Sequence, residues 1–292
     1  MRGDEISTRR RLARLALAGL LAAFAPVATA APVKKPQRIM SVNLCTDLLL
    51  LQLVPKSRIA SISFLAHQAV GAIRPGLDRG VPVNRGTAED VVAARPDLIL
   101  AADYSTPAVR RLAGRLGAPV VEVKTASDFD DIRQGLRRVG RAVGEPAKAE
   151  ALIARMDARL ASLARTRPPV PVPVVAWEGD TVSGTGDLTE AIMRAAGAKN
   201  LAAGWSEAGD RVFTVEQILA ARPAALLQAQ AAEQAPSLRA AEARHPLLAR
   251  LYRGRIITYP APLYACGLPQ SADAAAALRT ALEALPPGLP AP

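Results

Sequence analysis

The chain has 292 residues, half of them apolar and only 3% aromatic, with a formal net charge of +11. That length allows two domains of ordinary size, and the apolar share excludes a disordered protein. The cations are scattered along helical patterns and not gathered into runs, so the surplus fits an anionic ligand or plain solubility better than a nucleic-acid partner.

The chain opens on a targeting pattern. Arg9, Arg10, Arg11 and Arg14 precede an apolar run from Leu15 to Ala25, and Ala28-Thr29-Ala30 is a small-x-small cleavage site. Residues 1–30 therefore read as a signal peptide, of either the Sec or the twin-arginine kind. The apolar run is short for a membrane span, and no later stretch reaches about 18 apolar residues without charges.

Residues 38–42 read as a first strand, followed by an apolar helix from Thr46 to Leu53 entered through Asn43-Leu44-Cys45. Ile59–Ser63 is a second strand, and 64–86 a loop rich in Gly, Pro and Asn. Asp97–Ala101 and Val120–Val123 are further strands around a basic helix at 107–116. Such alternation implies a parallel sheet with helical crossovers. No strand pattern occurs between Asp128 and Arg165. A helix over about 128–142 is followed by a second one that Pro146 starts, with Leu152, Ile153, Met156, Leu160 and Leu163 on one face. At about 20 residues it would be roughly 30 Å long, a rigid strut. The alternation then resumes. Val172–Trp177 and Ile256–Tyr259 are strands; Thr189–Ala196, Pro246–Leu251 and Asp273–Leu285 are helices. The expected fold is α/β: an N-terminal lobe over 31–143, a linking helix over 144–167 and a C-terminal lobe over 168–292, each lobe with a mostly parallel sheet flanked by helices.

One unit occurs twice. TAEDVVAARPDLILA at 87–101 returns as TVEQILAARPAALLQ at 214–228, too far apart for a solenoid repeat. Each copy reads as a short helix and then a buried strand. Thr87 and Thr214 are N-cap candidates; Gln217 completes a capping box and Asp90 forms a weaker one. Capping does not require Glu89 and Glu216, yet both copies place an acid at the second helical position.

Enzyme signatures are missing: there is no P-loop, no G-x-S-x-G elbow and no G-x-G-x-x-G after a strand. No His/Cys/Asp/Glu cluster has metal spacing. Ligands of open α/β sheets bind beyond the carboxyl ends of strands, which draws attention to loops carrying Asn43, Cys45, Phe64, His67, Tyr104, Trp177 and Tyr264, with Trp205 and Phe213 near the second copy. Together they suggest an aromatic-walled cleft between lobes. Arg74, Arg85 and Arg211 fall in plausible mouth loops. Cys45 and Cys266 are the two cysteines. They either form a disulfide, which export permits, or line a site as two thiols.

The stretches RIMSVNLCTDLLL with RIASIS, GTAEDVVAARPDLILA, GDLTEAIMRAAGAKNLA, FTVEQILAARP, and HPLL with YACGLP resemble the periplasmic substrate-binding proteins of ABC importers for ferric siderophores, haem and cobalamin, whose lobes are joined by one long helix. The resemblance implies a periplasmic, monomeric binding protein with no catalysis and no resident cofactor or metal. Its partners would be an inner-membrane permease and ATPase. It implies that Glu89 and Glu216 dock onto permease arginines. The loops and mouth arginines singled out above then supply the expected ligand contacts: Asn43, Cys45, Phe64, His67, Arg85, Tyr104, Trp177, Trp205, Arg211, Phe213 and Tyr264. A ferric siderophore ranks first, cobalamin second and haem third, the last with His67 or Tyr264 as axial ligand. The competing reading, an exported enzyme or metal chaperone, would rest on Cys45, Cys266 and His67.

Overall fold

The computed structural model describes residues 35–104, 111, 113–114, 117–177, 181–182, 186–204, 211–212, 214–230, 241 and 244–288. In chain order the strands are β1 (Ile39–Ser41), β2 (Ile59–Ser63), β3 (Val83–Asn84), β4 (Leu98–Ala102), β5 (Val120–Val123), β6 (Val172–Ala176), β7 (Thr181–Val182), β8 (Ala198–Asn200), β9 (Arg211–Val212), β10 (Ala225–Ala229) and β11 (Ile256–Tyr259). The α-helices are α1 (Leu44–Leu53), α2 (Ala66–Ala69), α3 (Ala88–Ala94), α4 (Phe129–Ala142), α5 (Pro146–Arg165), α6 (Leu188–Ala196), α7 (Val215–Ala221), α8 (Pro246–Leu251), α9 (Ala261–Ala265) and α10 (Ser271–Glu283).

Two parallel sheets with helical crossovers result. The first has the order β3-β2-β1-β4-β5 and the second β11-β10-β6-β8. Read from β2 and from β8, both run in the same sense: first-formed strand next, then the strand of the repeated unit, then the edge. β7 and β9 form a small antiparallel pair.

The period-2 alternation of strand side chains sorts the apolar residues between two faces of each sheet. Ile39, Leu98, Leu100, Val174, Ala176, Ala225 and Leu227 join one large cluster that also takes in α1, α4, α5, α6 and α10. Their neighbours point the other way. Met40 and Ile99 pack with Val91 of α3, while Val175, Trp177 and Leu226 pack with Val215 and Ile218 of α7 and with Leu248 and Tyr252. The repeated unit thus covers the outer face of each sheet, and the shared core lies on the other side.

The strut is α5, 20 residues long with Pro146 in its first turn. Ala149, Leu152, Ile153, Met156 and Leu163 form its buried stripe. Gly140 lets α4 approach closely: a Cβ there would lie 2.5 Å from the Ala149 Cβ. Arg137 grips Glu150 through two bonds of 2.8 and 3.0 Å, and Arg133 reaches Asp157. On the other side, buried Arg279 of α10 donates to the carbonyls of Thr166, Leu163 and Ala196, holding the ends of α5 and α6 together. Exposed ion pairs contribute little individually. Arg279 matters more, because it satisfies helix-end carbonyls that are otherwise left without donors.

The sequence reading differs from the structure at short elements. β3 and β8 are only two and three residues long, and pairing with a neighbouring strand defines them more than any apolar run does. The stretch around Tyr264, expected to be a loop, contains α9. The expected helix at 107–116 falls largely outside the described residues, as do residues 1–34. Among the described residues no helix is long and apolar enough to cross a membrane.

Candidate functional site

The carboxyl ends of β1, β4 and β5 converge on one corner. Asn43 caps α1 there: its Oδ1 accepts from the backbone N–H groups of Cys45 (2.9 Å) and Thr46 (3.4 Å), the preferred use of Asn at this position. Its Nδ2 donates to the Tyr104 hydroxyl at 2.7 Å. Thr125 donates to Asp103 through both its N–H (3.3 Å) and its hydroxyl (3.1 Å), fixing the loop after β5 against the loop after β4. Between these groups lies a crevice of about 50 Å³, lined by Asn43, Cys45, Tyr104, Lys124 and Thr125 from one lobe and Cys266 and Gly267 from the other. It is far below the several hundred Å³ that small-molecule sites enclose.

Cys45 and Cys266 are disulfide-bonded, with Cα atoms 4.8 Å apart across a sequence separation of 221. Of the two readings left open by the sequence, the bridge holds. It ties the first turn of α1 in one lobe to the end of α9 in the other. Gly267 follows it with φ +52°, a conformation that favours glycine, and a Cβ there would come within 2.6 Å of the Ala126 Cβ. Two turns along α1, Gln52 accepts from Gln270 Nε2 at 2.6 Å, a second link between the lobes. The Gln270 Oε1 is buried without a partner among the described residues.

The other expected contact residues divide. Phe64 at the end of β2 is 50% exposed, Tyr104 is 67% exposed, and Leu65 and Val83 beside Phe64 are also exposed. Two of the chain's few aromatics thus face solvent. His67 on α2 is exposed and hydrogen-bonds through Nδ1 to the buried Asp78. Arg85 is exposed at the end of β3, beside α3. Arg74 is exposed but lies elsewhere, in a groove at the far end of α1. Arg211 belongs to β9; Trp205 and Phe213 lie outside the described residues.

Trp177 and Tyr264 are not wall residues. Trp177 is fully buried in the outer cluster of the second sheet, with Nε1 unpartnered among the described residues. It stands one position past β6 and keeps that strand's alternation, so it points with Val175 under α7 and α8. Tyr264 is buried because its stretch is helical; it stacks on Tyr259 with ring centroids 4.0 Å apart. Burial pushes its hydroxyl pKa upward. The sequence reading also missed Lys124, Thr125 and Asp103. Applying the strand-end rule to Val120–Val123 as well would have found the first two.

Glu89 and Glu216 occupy the second position of α3 and α7, and both are exposed. Each helix has a complete capping box, Thr87 with Asp90 and Thr214 with Gln217. The backbone N–H of each glutamate, helped by the adjacent Thr side chain, holds its carboxyl below the ordinary glutamate range. Both are therefore fixed anions at neutral pH.

Another ionisable group sits beneath the rim. Asp47 of α1 is fully buried and accepts from the Ser63 N–H (3.1 Å) and Ser63 hydroxyl (2.5 Å), joining α1 to β2. Burial raises its pKa to about 7 despite these bonds. Among the described residues no group of three or more His, Cys, Asp and Glu is placed to hold a metal.

The geometry is that of two α/β lobes joined by one long helix and by a disulfide. The family model described as periplasmic binding protein matches residues 50–252, and the chain belongs to that family. No curated protein matches the sequence. Among solved structures, the chain is similar to the periplasmic heme-binding protein RhuT from Roseiflexus sp. RS-1, with TM-score 0.67, 21% identity, and 84% of this chain and 97% of that one covered. It is similar to a periplasmic heme-binding protein from Pseudomonas aeruginosa, with TM-score 0.64, 23% identity, and 88% and 95% covered. The vitamin B12 binding protein BtuF of Vibrio cholerae gives TM-score 0.63 at 18% identity, with 85% and 97% covered. At these identities the likeness is one of fold.

Proposed function

We propose that the chain is the binding component of an ABC importer, taking up a ferric siderophore at the inter-lobe rim and delivering it to an inner-membrane permease and ATPase. The observation carrying this reading is the matched pair of glutamates. Each is exposed, each is ionised, and each stands at the same position of the same unit on the outer face of its sheet. Two fixed carboxylates of this kind suit bidentate pairing with arginines and would set the orientation of a docked partner. The exposed Phe64 and Tyr104, with the Lys124 and Arg85 cations, suit an anionic chelate with an apolar body. Export through a cleaved leader, the monomeric state and the absence of catalysis belong to the same proposal.

Haem is the second reading, favoured by one arrangement. Asp78 holds His67 Nδ1, which leaves Nε2 as the open nitrogen of a half-exposed ring beside the apolar Phe64 and Leu65. A carboxylate behind an imidazole orients it as an axial ligand. Tyr264, buried against Tyr259, does not fill that role.

The test is titration of the purified chain with a panel of ferric siderophores, cobalamin and haemin. A ferric siderophore should bind at micromolar levels or tighter, at least tenfold better than the other two. Tighter haemin binding, with a Soret band lost in His67→Ala, would transfer the proposal to haem; no binding by any of them would end it. Glu89→Ala/Glu216→Ala should abolish uptake while leaving ligand affinity unchanged.

A further inference from the structure

At the end of α1 remote from the disulfide, a groove of about 1010 Å³ runs where the two lobes meet α5. Its floor is apolar: Leu51 and Val54 from α1 and its cap, Leu152 and Met156 from α5, with Ile73 and Leu77 from the stretch following α2. Along α5 the lining extends from Lys148 to Ser162, about 21 Å at the helical rise. The C-terminal lobe closes the other side with Pro269, Gln270 and Asp273.

The rim is mostly basic. Lys56, Arg74, Lys148, Arg155 and Arg159 line the groove against a single acid, Asp273. Arg159 already pairs with Asp273 at 2.8 Å, and Lys56 donates to the Arg79 carbonyl. Arg74, Lys148 and Arg155 are exposed, have no hydrogen bond or ion pair to a described side chain, and flank a buried apolar floor. Cations ranged on an extended apolar furrow present a complementary surface to one chemistry: a negative head on a long apolar body. The volume, at the upper end of small-molecule sites, suits such a molecule singly.

We propose that this groove is a second binding site, separate from the inter-lobe rim, for a free anionic amphiphile with a phosphate, sulfonate or carboxylate head, the head held by Arg74, Lys148 and Arg155 and the tail lying along α5 over Leu152 and Met156. It does not depend on what the rim binds. The site touches both lobes and the strut at once, so its occupant bridges the same elements that the Gln52–Gln270 bond joins.

The experiment uses the chain with its disulfide intact and 8-anilinonaphthalene-1-sulfonate as fluorescent probe, displaced by dodecyl phosphate or by dodecyltrimethylammonium, both below their micelle concentrations. One saturable site displaced by dodecyl phosphate and at least tenfold less readily by the cation is the expected result. Arg74→Glu/Arg155→Glu, both at exposed positions, should weaken dodecyl phosphate at least tenfold with the melting temperature unchanged. Ala158→Trp, which narrows the groove without altering charge, should weaken it as well. Equal displacement by the two amphiphiles, no saturable site, or full affinity in either variant would overturn the proposal.

Discussion

The two copies of the repeated unit show what a short sequence controls and what its surroundings add. In both, Thr caps a seven-residue helix through a capping box, and in both the helix ends on an arginine in the left-handed region, Arg95 at φ 44° and Arg222 at φ 49°. Proline then follows and the strand begins. These features are local and they recur. The differences arise from neighbours. Asp97 accepts from the N–H groups of Gln37 (2.6 Å) and Arg38 (2.8 Å), pinning the chain as it enters β1. Both copies keep one backbone bond, Asp97 N–H to the Arg38 carbonyl and Ala224 N–H to the Pro173 carbonyl, but Ala224 has no side-chain acceptor, Pro173 at the Arg38 position has no N–H to give, and the Ala224 carbonyl instead accepts from Arg255. Val92 is 53% exposed on α3, whereas the corresponding Leu219 packs against the outer cluster of the second sheet. The same contrast holds at the helix after the first strand of each lobe: the fourth residue of α1 is the buried acid Asp47, and that of α6 is buried Ala191. Equivalent backbones have been given different chemistry where the tertiary partners differ.

The comparison can be broken most severely at the bond joining its two halves. Cys45→Ser/Cys266→Ser should lower unfolding free energy by about 4 kcal/mol, because the bridge closes a very long loop; urea melts of the variant and parent would measure it. A loss below about 1 kcal/mol would mean that α5 and the shared core hold the lobes without help.

Asp47 gives the next effect. Its folded-state pKa is raised, so the folded chain binds the extra proton and this group lowers stability as pH rises from about 4 to about 7. Asp47→Asn can keep both bonds to Ser63 and should remove that slope, a gain of at most about 4 kcal/mol at pH 8 and none near pH 4. Because the Ala191 position lacks an ionisable group, the slope belongs to the first lobe alone. Parallel pH profiles for parent and variant would contradict the assignment.

The smallest effect sharpens the likeness. Thr87→Ala and Thr214→Ala should each cost about 1 kcal/mol, and each should let the carboxyl of the adjacent glutamate rise toward its ordinary pKa, read by NMR titration. Losses that differ by more than about twofold would show that the caps depend on the lobe around them.

Composition and periodicity alone were enough to give the two α/β halves, the 20-residue strut and both capped helices. These depend on interactions within one or a few turns, and the alternation of apolar residues names the buried face directly. The placement of Glu89 and Glu216 on helix starts was legible for the same reason. Contacts made across the chain were not. Whether Cys45 meets Cys266 depends on how two lobes pack 221 residues apart. Trp177 is buried because α7 and α8 cover the outer sheet face, and Tyr264 because a five-residue helix turns it onto Tyr259. The basic groove exists only where α1, α5 and α10 converge. A sequence fixes such residues in register along each element; only the packing of elements decides which side chains face one another, water or a ligand.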